Sequence, residues 1–159
     1  MPAATVVEFS IWFIISCRTS GYGNCLFNAC SIALVGDESL GVSLRCLTAI
    51  ELYQNAQYYA LHPLLELQHN NGAFNNTNNA FAMSISDAAL DASKGKDHVH
   101  AVCFEASRIA KDYQPATFLC QLALASVIGR PVEAYYPVRK GGGGAEAHYG
   151  SKGFSFLCF

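Results

Sequence analysis

"SGYGNCLFNACSIAL", Ser20 to Leu34, sets a cysteine directly after Gly23-Asn24 and at the head of an apolar run. Gly21 and Gly23 make the preceding stretch a turn, and Asn24 is of a type favoured at helix N-caps. Leu26, Phe27, Cys30 and Leu34 then recur at near-helical spacing until Gly36, which predicts a helix that Gly36 stops. Cys25 therefore falls in the first turn of a helix, where unpaired N–H groups and the macrodipole favour an anion such as a thiolate. Two roles are open to it on spacing alone: a nucleophile, or a small buried hydrophobe.

Upstream, "VVEFSIWFIISC" (Val6 to Cys17) is apolar but carries Glu8, has no basic residue before it, and is much shorter than the roughly 20 residues of a membrane span. A buried strand over Ile11 to Ser16 is expected there rather than a signal peptide, and no membrane span is expected elsewhere. Downstream, Asp37-Glu38-Ser39 precedes a longer helix from about Leu40 to Leu61, closed by Pro63. Leu40, Leu44, Leu47, Ile50 and Leu52 fit its packed face.

The stretch from His69 to Asn79 holds six asparagines and a glycine and reads as a flexible loop. Short helices are predicted over Ser84–Ser93, capped by Ser84 or Ser86, and over Val99–Asp112. A further helix in "ATFLCQLALASVIGRP" ends at Gly129, and Val132–Tyr136 follows as a strand. Gly141 to Gly144 are expected to form a hairpin-like or disordered connection, and Phe154–Phe159 a final strand, with a truncated or altered C-terminus expected. The whole chain, 1–159, is expected to be one domain.

Hydrophobic residues make up 52% of the chain and charged residues 14%, with ten Lys+Arg against twelve Asp+Glu. That balance suggests neither disorder nor a polyanion-binding surface, so charge implies no nucleic acid. Seven cysteines occur without any C-x-x-C, which argues against a disulfide framework or a zinc ribbon and for a reducing, intracellular compartment, cytoplasm or nucleus. His98 and His100 form H-V-H without a nearby ligand set, so no metal is expected. His62 and His69 read as surface residues, the pairs Tyr58-Tyr59 and Tyr135-Tyr136 as packing at element ends, and Cys30, Cys46, Cys103 and Cys120 as core.

"GNCLFNACSIAL" resembles the nucleophile motif of the ovarian-tumour (OTU) family of cysteine proteases, usually Asp-Gly-Asn-Cys-Leu-Phe followed by a helix; Gly23, Asn24, Cys25, Leu26 and Phe27 match position for position. "FLCQLALASVIGRPVEAYYP" (Phe118 to Pro137) is more loosely similar to a later helix–turn–strand of that family, and "HYG" at His148 has the form of its histidine segment. The resemblance implies Cys25 as nucleophile and His148 as general base, with Gly23, Asn24 and Tyr22 in the motif that shapes the oxyanion hole. It further implies an α/β (α+β) papain-related fold, a small mixed sheet flanked by helices, with ubiquitin or a ubiquitin-like protein as partner and no cofactor.

Two positions depart from the family pattern. Tyr22 stands where Asp is usual, and Gly150 where an acidic or amide residue commonly orients the histidine. The stretch Ser43 to Pro63 also resembles OTU-like domains of vertnin-like and transposon-derived animal proteins. In that setting the alternative is a catalytically inert interaction domain that binds a protein partner.

Overall fold

Helices dominate the residues that the computed structural model describes, which are 19–20, 23–63, 77–130, 132–134 and 154–156, with backbone alone at 77–80, 133–134 and 154–156. In chain order they are α1 (Cys25–Val35), α2 (Gly41–Gln54), α3 (Ala56–Ala60), α4 (Thr77–Ser84), α5 (Asp87–Ala92), α6 (His98–Ile109) and α7 (Phe118–Ile128). Strands β1 (Val132–Ala134) and β2 (Phe154–Phe156) pair antiparallel, with Val132 opposite Phe156 and Ala134 opposite Phe154.

The predicted starts and stops are mostly local chemistry. Ser86 caps α5 by accepting from the Ala89 amide, and the Asp97 carboxylate caps α6 by accepting from the His100 amide at 2.9 Å. Gly36 and Gly129 close α1 and α7. The single helix expected from Leu40 to Leu61 breaks at Asn55, whose φ of −111° and ψ of 29° leave the helical range and separate α2 from α3. Thr77 to Asn79, read as loop, begin α4; the rest of that segment lies outside the described residues, as do Ile11–Ser16, His69 and Gly141–Gly144.

Helix α7 carries the core. Leu119, Cys120, Leu122, Ala123, Leu124 and Ala125 are all buried, so the helix is enclosed around most of its circumference, as an apolar helix with little polar face must be. Helix α2 packs against both α6 and α7, α1 crosses α2, and α3 and α5 lie on α6. Phe27, Leu52, Tyr59, Phe81, Val102 and Ile109 fill the space between them. The helices α1 and α2 meet closely at Gly41, where a Cβ would stand 2.1 Å from Asn28 Oδ1.

The fold class corrects the expectation of an α/β architecture with a mixed sheet flanked by helices. The described chain is helical, and β1 and β2 form a two-stranded antiparallel ribbon that no third strand extends among the described residues. Among the described residues the core is closed by helix on helix, because α2 buries its apolar face against both α6 and α7.

Three side-chain placements also differ from the sequence reading. The buried face of α2 is Gly41, Leu44, Arg45, Thr48, Ala49 and Leu52, whereas Leu47 and Ile50 are 49% and 50% exposed. The helix is turned so that Arg45 enters the interior, with Thr48 satisfying its own hydroxyl on Leu44 O at 2.7 Å. Cys46 is exposed on the outer face rather than in the core. His62 is buried rather than on the surface, stacked on Tyr59 with ring centroids 6.0 Å apart and edge-on to Tyr58 at 5.0 Å.

Burial holds the His62 pKa below its ordinary 6.5. A depressed histidine favours the fold above the unfolded pKa, and that contribution is lost as pH falls below about 6.5 toward the folded value. The melting temperature should therefore drop between about pH 7.5 and about pH 5.5, and His62→Phe should flatten that drop in a thermal-denaturation series.

Candidate functional site

The site begins with a turn that only a residue without Cβ can make. Gly23 has φ of 80°, and a Cβ there would lie 2.6 Å from the Tyr113 carbonyl carbon and 2.9 Å from that of Gln114. The backbone before α1 thus touches the loop between α6 and α7 directly. Tyr113 itself is exposed and holds φ of 64°, outside the range most side chains prefer.

Asn24 stands at the N-cap position, but its side chain does not cap α1 and its backbone is already helical, with φ of −91° and ψ of −2°. Its Oδ1 instead accepts from Arg45 Nε at 2.7 Å. Arg45 Nη2 donates to Gly23 O at 2.6 Å and to Gln114 O at 3.0 Å, and Nη1 to the carbonyls of Ile109 and Lys111, both at 2.9 Å. All five guanidinium hydrogens are matched by neutral oxygens, which is how a side chain with no exposed surface tolerates the charge. The guanidinium carbon also lies 4.8 Å from the centroid of the Phe27 ring. Burial lowers the Arg45 pKa from its ordinary value.

Three motif residues, Gly23, Asn24 and Phe27, therefore converge on Arg45, while Cys25 between them is exposed in the first turn of α1. A second clamp acts from the other side. The Glu38 carboxylate accepts from the Ser20 amide at 2.7 Å and from its hydroxyl, and Asn28 Nδ2 donates to Ser20 Oγ at 2.8 Å. The hydrogen bonds from Ser20 hold the Glu38 carboxyl below its ordinary pKa.

The loop that meets Gly23 is tied down in turn. Arg108 donates to Gln114 Oε1 at 3.2 Å and to Pro115 O at 2.8 Å, and its Nε and Nη2 reach the Glu105 carboxylate at 3.0 and 2.5 Å. Glu105 is fully buried and accepts also from Ser86 and Thr117. Burial alone would push its carboxyl up, but the bonds from Arg108 and Ser86, the Arg108 charge and the Thr117 bond outweigh that and hold it below its usual value.

Among the described cysteines, exposure and position separate Cys25 from the rest. Burial pushes the Cys120 thiol up to about 11 and raises that of Cys30, so both remain thiols. Cys46 and Cys103 sit in the middle of α2 and α6, away from any helix start. Tyr22, His148 and Gly150 lie outside the described residues, so the structure brings together Gly23, Asn24 and Cys25 of the candidate set. No group of three or more metal-ligating side chains occurs among the described residues, and none of their helices is long and apolar enough to cross a membrane.

Sequence reasoning passed over Arg45 and Gln114. The signal for Arg45 was present: a charged residue beside Leu44, two turns before Leu52, on the face that helical spacing turns inward. Gln114 acts through its main-chain carbonyl as well as its amide, and a carbonyl has no signature in sequence.

A family model described as the OTU domain of Vertnin matches residues 16–148. Vertnin from Bos taurus is 31% identical over 122 residues, which cover 75% of this chain and 17% of that protein. The chain thus spans about 17% of the length of the relative it matches. No solved structure matches.

The contact of Gly23 with Tyr113 and Gln114 sets a test of the turn. Gly23→Ala adds a Cβ at a positive φ and against backbone, and should destabilise the domain by about 2 kcal/mol or more, read as a lowered urea midpoint. Gly36→Ala, where a Cβ meets nothing within 4 Å, bears the strain of positive φ without the collision and should cost less.

Proposed function

The chain belongs to the Vertnin OTU domain family, and from that premise we propose that it is a thiol hydrolase that removes ubiquitin or a ubiquitin-like modifier from proteins. The observation that carries this reading is the exposure of Cys25 at a helix start while its motif neighbours are fixed on Arg45. The family match runs from Ser16 to His148 and so contains both proposed partners.

In this mechanism His148 takes the Cys25 proton, and the sulfur attacks the carbonyl carbon of the isopeptide bond. Backbone N–H groups at the start of α1, which no described side chain caps, are suited to the oxyanion that forms. His148 then passes its proton to the departing lysine amine, leaving a thioester on Cys25. Water attacks the thioester, His148 accepts its proton, and collapse of the second tetrahedral intermediate releases the modifier and regenerates the thiol. The odd number of cysteines, seven without any C-x-x-C, suits a reducing compartment, cytoplasm or nucleus, as the place of action.

Tyr22 and Gly150 favour a second reading, an inert OTU-like domain that binds a protein partner. A tyrosine supplies no carboxylate at its position, and a glycine leaves the histidine without an orienting side chain at that point.

Ubiquitin carrying a C-terminal electrophile separates the two. The hydrolase should form a covalent adduct at Cys25 that Cys25→Ala abolishes and His148→Ala slows by roughly 10²-fold or more. Folded wild-type protein that forms no adduct with ubiquitin or with ubiquitin-like probes supports the inert domain.

A further inference from the structure

We infer that Arg45 is a positioning residue for Cys25: it acts through Asn24 to set the direction of the thiol. The inference rests on the hydrolase reading for its catalytic meaning, and on geometry for its substance. Arg45 leaves α2 on the inner face and reaches the two residues that immediately precede Cys25, through Gly23 O and Asn24 Oδ1. The same guanidinium holds the C-terminal end of α6 and the following loop through Ile109, Lys111 and Gln114. The backbone leading into α1 is thus registered against α2, α6 and the loop by one rigid planar group.

The bond to Asn24 has a second effect. An asparagine in this position ordinarily turns its side-chain oxygen onto the amides of the first helical turn. With its backbone already helical and its side-chain oxygen held by Arg45 Nε, Asn24 makes no side-chain cap bond. The amides around Cys25 are consequently left for a group outside the helix, and the thiol is presented beside them. Lysine in place of Arg45 keeps the charge but cannot reproduce the planar fork that reaches five oxygens.

The test is site-resolved alkylation by iodoacetamide, followed by mass spectrometry, in the wild-type chain, Asn24→Ala, Arg45→Lys and the double variant. Buried Cys120 serves as the internal reporter of opening, because it reacts only when α7 is released. Either single substitution should slow Cys25 alkylation by roughly fivefold or more while Cys120 stays protected. The double variant should fall no further than Arg45→Lys alone, because both remove the same connection. A Cys25 rate in Asn24→Ala that stays within about twofold of wild type, or that rises, overturns the inference, as do fully multiplicative effects in the double variant. Should Arg45→Lys expose Cys120, Asn24→Ala alone decides. Ubiquitin electrophile labelling is run beside it: absence of an adduct in wild type removes the hydrolase reading, while the alkylation comparison still judges Arg45.

Discussion

A guanidinium with no exposed surface, satisfied entirely by neutral oxygens, is the constraint on which the rest of this domain depends. Hydrogen bonds to a charged group contribute about 1.5–3 kcal/mol each, and a buried charge left without them costs far more. Arg45 therefore stays inside only if Gly23, Asn24, Ile109, Lys111 and Gln114 all stand where they do. Its demands fix the rotation of α2, the close of α6 and the entry to α1 at once. Helix packing could slide by a residue at modest cost in apolar contact, but not without stranding this group.

Gln114 joins that centre to a second one. Its carbonyl serves Arg45 and its side-chain oxygen serves Arg108, which in turn neutralises the buried Glu105. Glu105 gathers the capping Ser86 of α5 and Thr117 at the head of α7. The loop between α6 and α7 is thus held by two arginines. The positive φ of Tyr113 persists because its neighbours are anchored on both sides.

Much of the local structure was legible in the sequence. Gly36, Ser86 and Gly129 act through their own chemistry on their own helix, and each ends or begins an element where the sequence predicted; Asp97, not among the predicted caps, caps α6 in the same local way. What failed depends on contacts distant in sequence. Asn24 has the composition of a cap, yet its side chain goes to a residue 21 positions away. Leu47 and Ile50 match an apolar period, yet Arg45 dictates which face is inner. His62 reads as surface until two tyrosine rings enclose it. The expected sheet rested on three apolar segments and on the family resemblance; Val132–Ala134 and Phe154–Phe156 do pair, but neither an apolar run nor a five-residue motif that describes a turn and a helix start holds information on what closes the core. Of the candidate site, the position of Cys25 was readable from its glycine turn and helix start, whereas the hand that holds it was not.

The convergence of Gly23, Asn24 and Phe27 on Arg45 bears on how such a domain changes over descent. Those three residues serve the fold whether or not the thiol between them reacts, because a substitution at any of them strikes the same buried group. A lineage that abandoned catalysis would still be selected to keep Gly-Asn-x-x-Phe for folding alone, while Cys25, exposed and making no part of that network, would drift freely. Retention of the letters flanking position 25 therefore reports on the buried arginine and the turn above it as much as on any chemistry at the thiol, whereas position 25 itself carries no such demand of the fold.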